Sequence, residues 1–517
     1  MCGIFAFLSK RKLAIDSSYL STRGPNSSTT ITIPSGVFSF YRLSINDTTM
    51  NGNQPMVSGN ILMMCNGEIY NHLELEKEFD LRCNSRSDCE VIIRLYEKIG
   101  FEEMVKKLYG VFAIILVDGD TTYLARDRIG VRPLYYGWNE GELMIASVPN
   151  VLVKYCTGVT HFPPGLTAVC KNNVITPLTR HVLCIREPTL SEPLVTLRDT
   201  LIDAVKIRLM SDRPMGCLLS GGLDSSIITA ILVKFLGGEN VRTYSIGMEG
   251  STDLYYARKV AEALRTKHTE ILFTPEEGFA VIPKVIETLA SYDITTIRAS
   301  VGMYLVSKYI SENTDDKVIF SGEGSDELLE GYLYFHNAPT SEEGRDEALR
   351  LVQNLHMYDV LRADRCISVN GLEPRVPFLD KKFVDATLAL SAEDKSPRNG
   401  FEKYVLRKAF EGYLPEEILW RRKEGFSDGV SSVKKSWYHY IQEMVEPLIE
   451  GLPKGFPSKE AMYYKTVFNN IFPSYNLDIK YWMPKWTNST DPSGRLIKAY
   501  DLSATGSNLC ISDTKLL

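Results

Sequence analysis

Through the first 180 or so residues, apolar positions alternate with polar ones or gather in short runs, as in ITI, GVFSFYRLSI, NILMMC, VFAIILV and TTYLA. Gly, Asn and Asp turns separate these strand-length runs, which predicts a β-rich region. One stretch inside it, Asp88 to Ile99, has helical spacing. The pattern then changes. Apolar residues recur at the helical period in LVTLRDTLIDAVKIRL, SSIITAILVKFL and VGMYLVSKYI, interleaved with the short strand candidates MGCLLS, RTYSIG and KVIFSG. Alternating strands and helices predict a parallel α/β sheet. Between the two regimes REPTLSEP, Arg186 to Pro193, carries two prolines and little apolar content and reads as a linker. The expected division is a domain over 1–184, a linker over 185–193, a second domain over 194–502 and a polar, mobile tail over 503–517.

Length agrees, since 517 residues exceed one ordinary core and predict two or three domains. With 44% hydrophobic and 24% charged residues the composition is that of a globular protein. A net charge of −6 leaves no basic footprint for nucleic acid or an anionic membrane, so small molecules are the expected partners. The apolar run Val111 to Val117 is of buried-strand length, far short of the roughly 20 residues that span a bilayer. The amino terminus, MCGIFAFLSKRK, places apolar residues before basic ones, unlike a secretory signal, and a cytosolic location is expected. Ten cysteines without a CxxC pair fit neither a zinc ribbon nor a disulfide framework.

Candidate chemistry begins at Cys2. Removal of Met1 would leave a thiol and an α-amino group on one residue, and an amine titrating near 8 can serve as internal base for the nucleophile. Downstream follow RGPN at Arg23, YRLSIND at Tyr41, GNQPM at Gly52, NGEIYN at Asn66, SDCE at Ser87, GVFA at Gly110 and ARDRIGVRPLYY at Ala125. In this order they resemble the class II glutamine amidotransferase domain, which implies an N-terminal-nucleophile fold, an α+β sandwich of two antiparallel sheets between helices. The resemblance implies an oxyanion hole from the Asn66 amide and the Gly67 N–H. It also implies glutamine recognition by Arg42, Leu43, Ser44, Ile45, Asn46, Glu68 and Asp88, with Arg42 for the α-carboxylate and Asp88 for the α-ammonium. Asn26 stands where that motif carries Asp, Tyr41 where His is frequent, and the stretch from Cys2 to Arg23 is shorter than usual.

A second constellation is SGGLDSS, Ser220 to Ser226, between the apolar run MGCLL and a helical run. Strand, Gly-rich loop and helix N-terminus form an anion cradle from Ser220, Gly221, Gly222, Ser225 and Ser226. There is no GK[ST], so this is not a Walker A loop, and Asp224 within it is a candidate Mg²⁺ ligand. The string resembles the PP-loop of ATP pyrophosphatases. IFSGEGSDELLEGY forms a second acidic loop, and by the resemblance Asp326 is the second metal ligand and Leu218, Ile246, Ser321 and Gly322 contact the nucleotide.

SYDITTIRAS at Ser291, LHMYDVLRADR at Leu355, GLEPRVPFLD at Gly371, EKYVLRKAF at Glu402, KEGFSDGV at Lys423, YWMPKW at Tyr481 and DPSGR at Asp491 complete the picture. Together they resemble the glutamine-hydrolysing asparagine synthetases, closest to the eukaryotic type. That implies ATP-dependent amidation of aspartate through β-aspartyl-AMP, ammonia channelled from glutamine, and a homodimer. Glu323, Arg298 and Lys403 occupy positions of the family's catalytic acid–base and phosphate-binding cations. Two other readings compete: a ligase of the same two domains acting on another carboxylate, and a non-catalytic glutamine or nucleotide sensor.

Overall fold

A computed structural model describes residues 1–11, 13–187, 190–422, 429–431, 435–451, 455–475 and 479–487. The first region contains twelve strands. In chain order they are β1 Gly3–Leu8, β2 Ser27–Ile33, β3 Gly36–Arg42, β4 Met56–Ser58, β5 Ile61–Ile69 and β6 Gly110–Asp118. β7 Thr121–Arg126, β8 Tyr135–Asn139, β9 Glu142–Ala146, β10 Thr157–His161, β11 Leu166–Lys171 and β12 Val174–Arg180 follow. They form two antiparallel sheets, ordered β10-β8-β9-β1-β3-β2 and β12-β11-β7-β6-β5-β4.

The sequence runs are apolar rather than alternating because each central strand is covered twice. In β5 and β6, Leu62, Met64, Ala113 and Ile115 pack between the sheets with Ile4, Phe38 and Phe40 of the other sheet. Their neighbours Met63, Cys65, Ile114 and Leu116 face outward onto Val91, Ile92 and Leu95 of the helix Glu90–Ile99. That helix was expected to start at Asp88; the structure leaves Asp88 just before it, where its carboxylate accepts the Ile69 N–H at 2.7 Å.

The second region is built on five parallel strands: β13 Met215–Leu218, β14 Arg242–Gly247, β15 Lys267–Leu272, β16 Val318–Phe320 and β17 Glu373–Arg375. Their order is β15-β14-β13-β16-β17. Successive residues of β16 face opposite cores, Val318 and Phe320 one way and Ile319 the other, so helices cover both faces as a parallel sheet requires. The helix runs read from the sequence lie in Pro193–Ile207, Leu223–Leu236 and Ile294–Asn313. β15 and β17 were not foreseen; KHTEIL is largely polar and EPR is short and contains proline, so neither carries a strand signal.

The two regions share one core. Leu43, Ile45, Val111, Ile129 and Val131 belong to the same apolar cluster as Leu201, Leu223 and Phe378. Buried ion pairing adds to this, with Arg23 Nη1 2.8 Å from Asp364. All nine described cysteines are free, and no described helix is long and apolar enough to cross a membrane. The tail over 503–517 and the DPSGR motif lie outside the described residues, as does most of KEGFSDGV.

Candidate active sites

Cys2 sits directly before β1, and its thiol donates to the Leu43 carbonyl at 3.6 Å. Met1 precedes it, its amine donating to Leu372 O at 3.1 Å, a carbonyl of the second region. Burial lowers that amine to about 5 and raises the Cys2 thiol above its ordinary value. A buried thiol of this kind needs a base close by to become a thiolate.

Asn66 and Gly67 lie on β5. The Asn66 side chain is wholly buried, and neither its Nδ2 nor its Oδ1 has a hydrogen-bond partner among the described residues. An orphaned buried amide is costly unless something else completes it. Gly67 is required by close approach, since a Cβ there would lie 2.3 Å from Val111 O on β6. Around them, Asn46 donates to Glu68 at 2.6 Å and to Asp88 at 3.2 Å. Burial pushes both carboxyls up, Glu68 well above the usual range. Arg42 points its guanidinium at the carbonyls of Asn46, Asp47 and Thr49 and at Asn53 Oδ1, so it ties together the loop that follows β3. Leu43 and Ile45 are buried in the shared core. Ser44 is held by Asn26 Oδ1, which accepts from its N–H at 2.9 Å and its hydroxyl at 3.1 Å. Acceptance alone is used, which is why Asn serves at position 26.

The second site opens at the carboxyl ends of the parallel strands, where open α/β sheets collect ligands. A cavity of about 230 Å³ is bordered by Leu218, Ser220, Gly222, Asp224, Ser225, Ile246, Ser321, Gly322, Glu323, Asp326 and Lys403. The loop between β13 and the helix Leu223–Leu236 is closed by Ser225 Oγ, 3.2 Å from the Ser220 N–H. Gly221 takes φ +70° and a Cβ there would lie 2.4 Å from Ala257 N, so the loop is pressed against the helix Thr252–Leu264. The two acidic loops touch: Ser325 Oγ donates to Asp224 at 2.8 Å. Lys403 Nζ lies between their carboxylates, 2.6 Å from Asp224 and 2.7 Å from Asp326.

Three of the assigned residues do not border that cavity. Gly221 and Ser226 do not border the cavity: the first is taken up by packing, and the second points its hydroxyl into the interior. Arg298 is also off the wall. Its Nε and Nη2 bind Glu460 at 2.8 and 2.6 Å, and its guanidinium lies 4.7 Å over the Tyr438 ring. Neighbouring Thr295, Thr296 and Ala299 face the cavity instead, because the helix turns Arg298 away.

The family model described as asparagine synthase matches residues 196–351 and 339–488, and that of a glutamine amidotransferase domain matches residues 1–182. A glutamine-hydrolysing asparagine synthetase from Bos taurus is 41% identical over 560 aligned residues, 98% of this chain and 100% of its own. The chain belongs to the glutamine-hydrolysing asparagine synthetase family. The relative from Homo sapiens is 41% identical, covering 97% of this chain and 99% of its own. Among solved structures, a glutamine phosphoribosylpyrophosphate amidotransferase from B. subtilis complexed with ADP and GMP has a TM-score of 0.32 and 14% identity, covering 52% of this chain and 80% of that one.

Several groups at the two sites lie within the sequence motifs and have structural partners that the motifs do not announce. Arg362 binds Glu323 at 2.6 Å and Asp359 at 2.8 Å, which places the candidate acid–base carboxyl. Burial raises Glu323 and the Arg362 charge pulls it back down. Arg23 donates from Nε to the Cys2 carbonyl at 3.1 Å. Arg375, on β17, reaches Glu68 at 3.5 Å with its side chain, while its carbonyl accepts the Ser321 N–H at 2.9 Å. Sequence signals for these existed in RGPN, LHMYDVLRADR and GLEPRVPFLD, yet nothing in any of the three strings says which site it faces.

Proposed function

We propose that the protein hydrolyses glutamine at Cys2 and uses the ammonia to convert aspartate to asparagine, with ATP cleaved to AMP and diphosphate. The observation that carries this reading is Arg375, which touches the glutamine pocket with its side chain and the nucleotide loop with its backbone. A molecule with two unrelated activities has no need of one residue shared by both sites.

In the first step the Cys2 α-amine, freed of Met1, accepts the thiol proton as sulfur attacks the glutamine amide, then passes it to the departing ammonia, after which water cleaves the thioester to glutamate. The orphaned Asn66 amide and the Gly67 N–H receive the oxyanion. Glu68 and Asp88, with Asn46 between them, meet the substrate ammonium, and Arg42 holds the loop facing its carboxylate. At the second site the loop of Ser220 to Ser226 cradles phosphates of ATP while backbone groups at Leu218, Ile246, Ser321 and Gly322 border the nucleoside. Asp224 and Asp326 are hard oxygen donors set either side of one cation, which fits Mg²⁺ bound through two carboxylates and substrate phosphates. When bound, Mg²⁺ would neutralise charge building on the phosphates. The aspartate β-carboxylate displaces diphosphate at the α-phosphorus of ATP to give β-aspartyl-AMP, with Lys403 turned to the phosphates. Glu323 takes a proton as ammonia attacks that acyl group and AMP leaves. Ammonia must cross without meeting bulk water, where it is protonated and lost. Domains divided at 184 and 194, a homodimer and a cytosolic setting belong to the same reading and rest on the sequence.

The test is product formation from Mg²⁺-ATP and aspartate, with glutamine or ammonium, by wild type and Cys2→Ala. Asparagine and AMP from both donors in wild type, but from ammonium alone in the variant, supports two coupled sites. Glutamine hydrolysis without asparagine from either donor rejects aspartate as acceptor.

A further inference from the structure

The loop that follows β3 is gripped from the second region by one residue that the chemistry above does not use. Asp212 lies between the helix Pro193–Ile207 and β13, with its side chain 39% exposed. Its N–H donates to Ile45 O at 3.0 Å, and its Oδ2 accepts the Asp47 N–H at 2.9 Å. The two bonds bracket Asn46, whose side-chain amide donates to Glu68 and Asp88.

The bracket falls where the loop backbone is least ordinary. Asp47 is left-handed at φ +52°, a region that Asp tolerates better than most side chains but does not favour. Its own carboxylate is taken up within the first region, Oδ1 accepting from Thr49 and Oδ2 from the Arg86 N–H at 2.9 Å. Arg42 draws in the carbonyls of Asn46, Asp47 and Thr49. None of these contacts serves the Asp47 N–H, which bonds to Asp212 instead. Removing that acceptor leaves the N–H of a buried residue without its bond.

Asp212 itself stands on a fixed base. Arg375 Nη1 donates to Met210 O at 2.5 Å and to Arg208 O, and Ser211 Oγ closes the turn by accepting the Arg213 N–H at 2.9 Å. Pro214 O accepts the Lys317 N–H at 3.0 Å, just ahead of β16. The segment is thus held on the second region while it holds the glutamine loop of the first.

We propose that Asp212 is a positioning residue for glutamine: by accepting the Asp47 N–H it fixes the loop around Asn46 and so sets the Asn46 amide between Glu68 and Asp88, the carboxyls that meet the substrate ammonium. The inference rests on the glutamine reading of the first site. Hydrogen-bond acceptance, and not charge, is the working element. The Arg86 guanidinium reaches the same oxygen at 3.5 Å, but both side chains are open to solvent, where such a pair is worth little. Asp212→Asn keeps an acceptor oxygen without the charge, Asp212→Ala removes both, and Arg86→Ala removes the ion pair alone.

The experiment measures glutamine hydrolysis against glutamine concentration for the full chain, as wild type and these three variants. Ammonium-dependent AMP formation and thermal midpoint are measured on the same preparations. Asp212→Ala is expected to raise KM for glutamine about threefold to tenfold, with kcat within about twofold and ammonium-dependent synthesis unchanged. Asp212→Asn and Arg86→Ala should keep KM within about twofold of wild type. Unchanged KM in Asp212→Ala overturns the proposal, as does an Asn variant as impaired as the Ala variant. Parallel loss of both activities, or failure to fold, gives Asp212 a general structural role and overturns it as well. A wild type that hydrolyses no glutamine rejects the glutamine reading instead, and is recognised before any variant is compared.

Discussion

Asn66 shows how much a single side chain can disclose. Its amide is buried, yet among the described residues nothing bonds either polar atom, in a pocket whose other polar groups are paired. Folding alone does not favour such an amide, because an unmade buried hydrogen bond costs about 1–3 kcal/mol. Asn66→Ala is therefore expected to leave stability unchanged or slightly higher while lowering glutamine hydrolysis by about 10²–10³-fold. Ammonium-dependent synthesis by the same protein should keep its rate. A loss of both activities would assign Asn66 a general structural role. The departures at positions 26 and 41 are resolved at the same scale. Asn26 needs only one acceptor oxygen for Ser44, and the Tyr41 hydroxyl donates to or accepts from Ser17 at 2.9 Å.

Helices decide what becomes of Arg298. It lies on Ile294–Asn313, a helix capped by Asp293, whose carboxylate accepts the Thr296 N–H at 2.9 Å and the Trp482 N–H at 2.7 Å. That cap fixes the helix rotation, and Arg298 then meets Glu460 of the helix Lys459–Ile471 in a bidentate pair. Both are buried, at 3% and 0% exposure. Arg298→Met leaves Glu460 an uncompensated buried charge and should lower the unfolding free energy by about 3–5 kcal/mol. Adding Glu460→Gln should recover a large part of that loss in urea denaturation. If the double variant is as stable as wild type but inactive, the guanidinium has a role in the reaction beyond joining the two helices.

Across the whole molecule the two regions meet through paired and unpaired charge alike. His161 of β10 stacks edge-on against His356 of the second region, with ring centroids 4.9 Å apart. Burial, with Arg126 and Arg180 adding to it, lowers His161 to about 4 from 6.5. The folded state therefore binds fewer protons than the unfolded chain between those values, so stability rises with pH through this window and is lost as acid protonates the ring. The effect is on the order of 1–3 kcal/mol after screening. His161→Phe should lessen the rise of stability between about pH 4 and 6.5, the remainder coming from buried His356, whose ring burial also holds well below its ordinary value. A variant whose profile parallels that of wild type would place the acid sensitivity elsewhere.

Local pattern was enough for the strand-rich first region, the alternating second region and the two anion-binding loops, because each rests on periodicity or on residues close in the chain. The helix Glu90–Ile99 and strands β5, β6, β13, β14 and β16 were legible for that reason. Cys2, Asn66, Asp224 and Asp326 could be nominated because their motifs are contiguous strings, and the fold sets Asp224 and Asp326 on one cavity. Arg298 turns from the cavity to Glu460, which a helix string could not show because it does not say how the helix is rotated. β17 was invisible, as three residues with a proline become a strand only where β16 offers a parallel edge. Tertiary structure alone brought Lys403 between Asp224 and Asp326 and joined Arg375 to both sites. Each depends on groups many residues apart, whose meeting is decided by how the shared core packs.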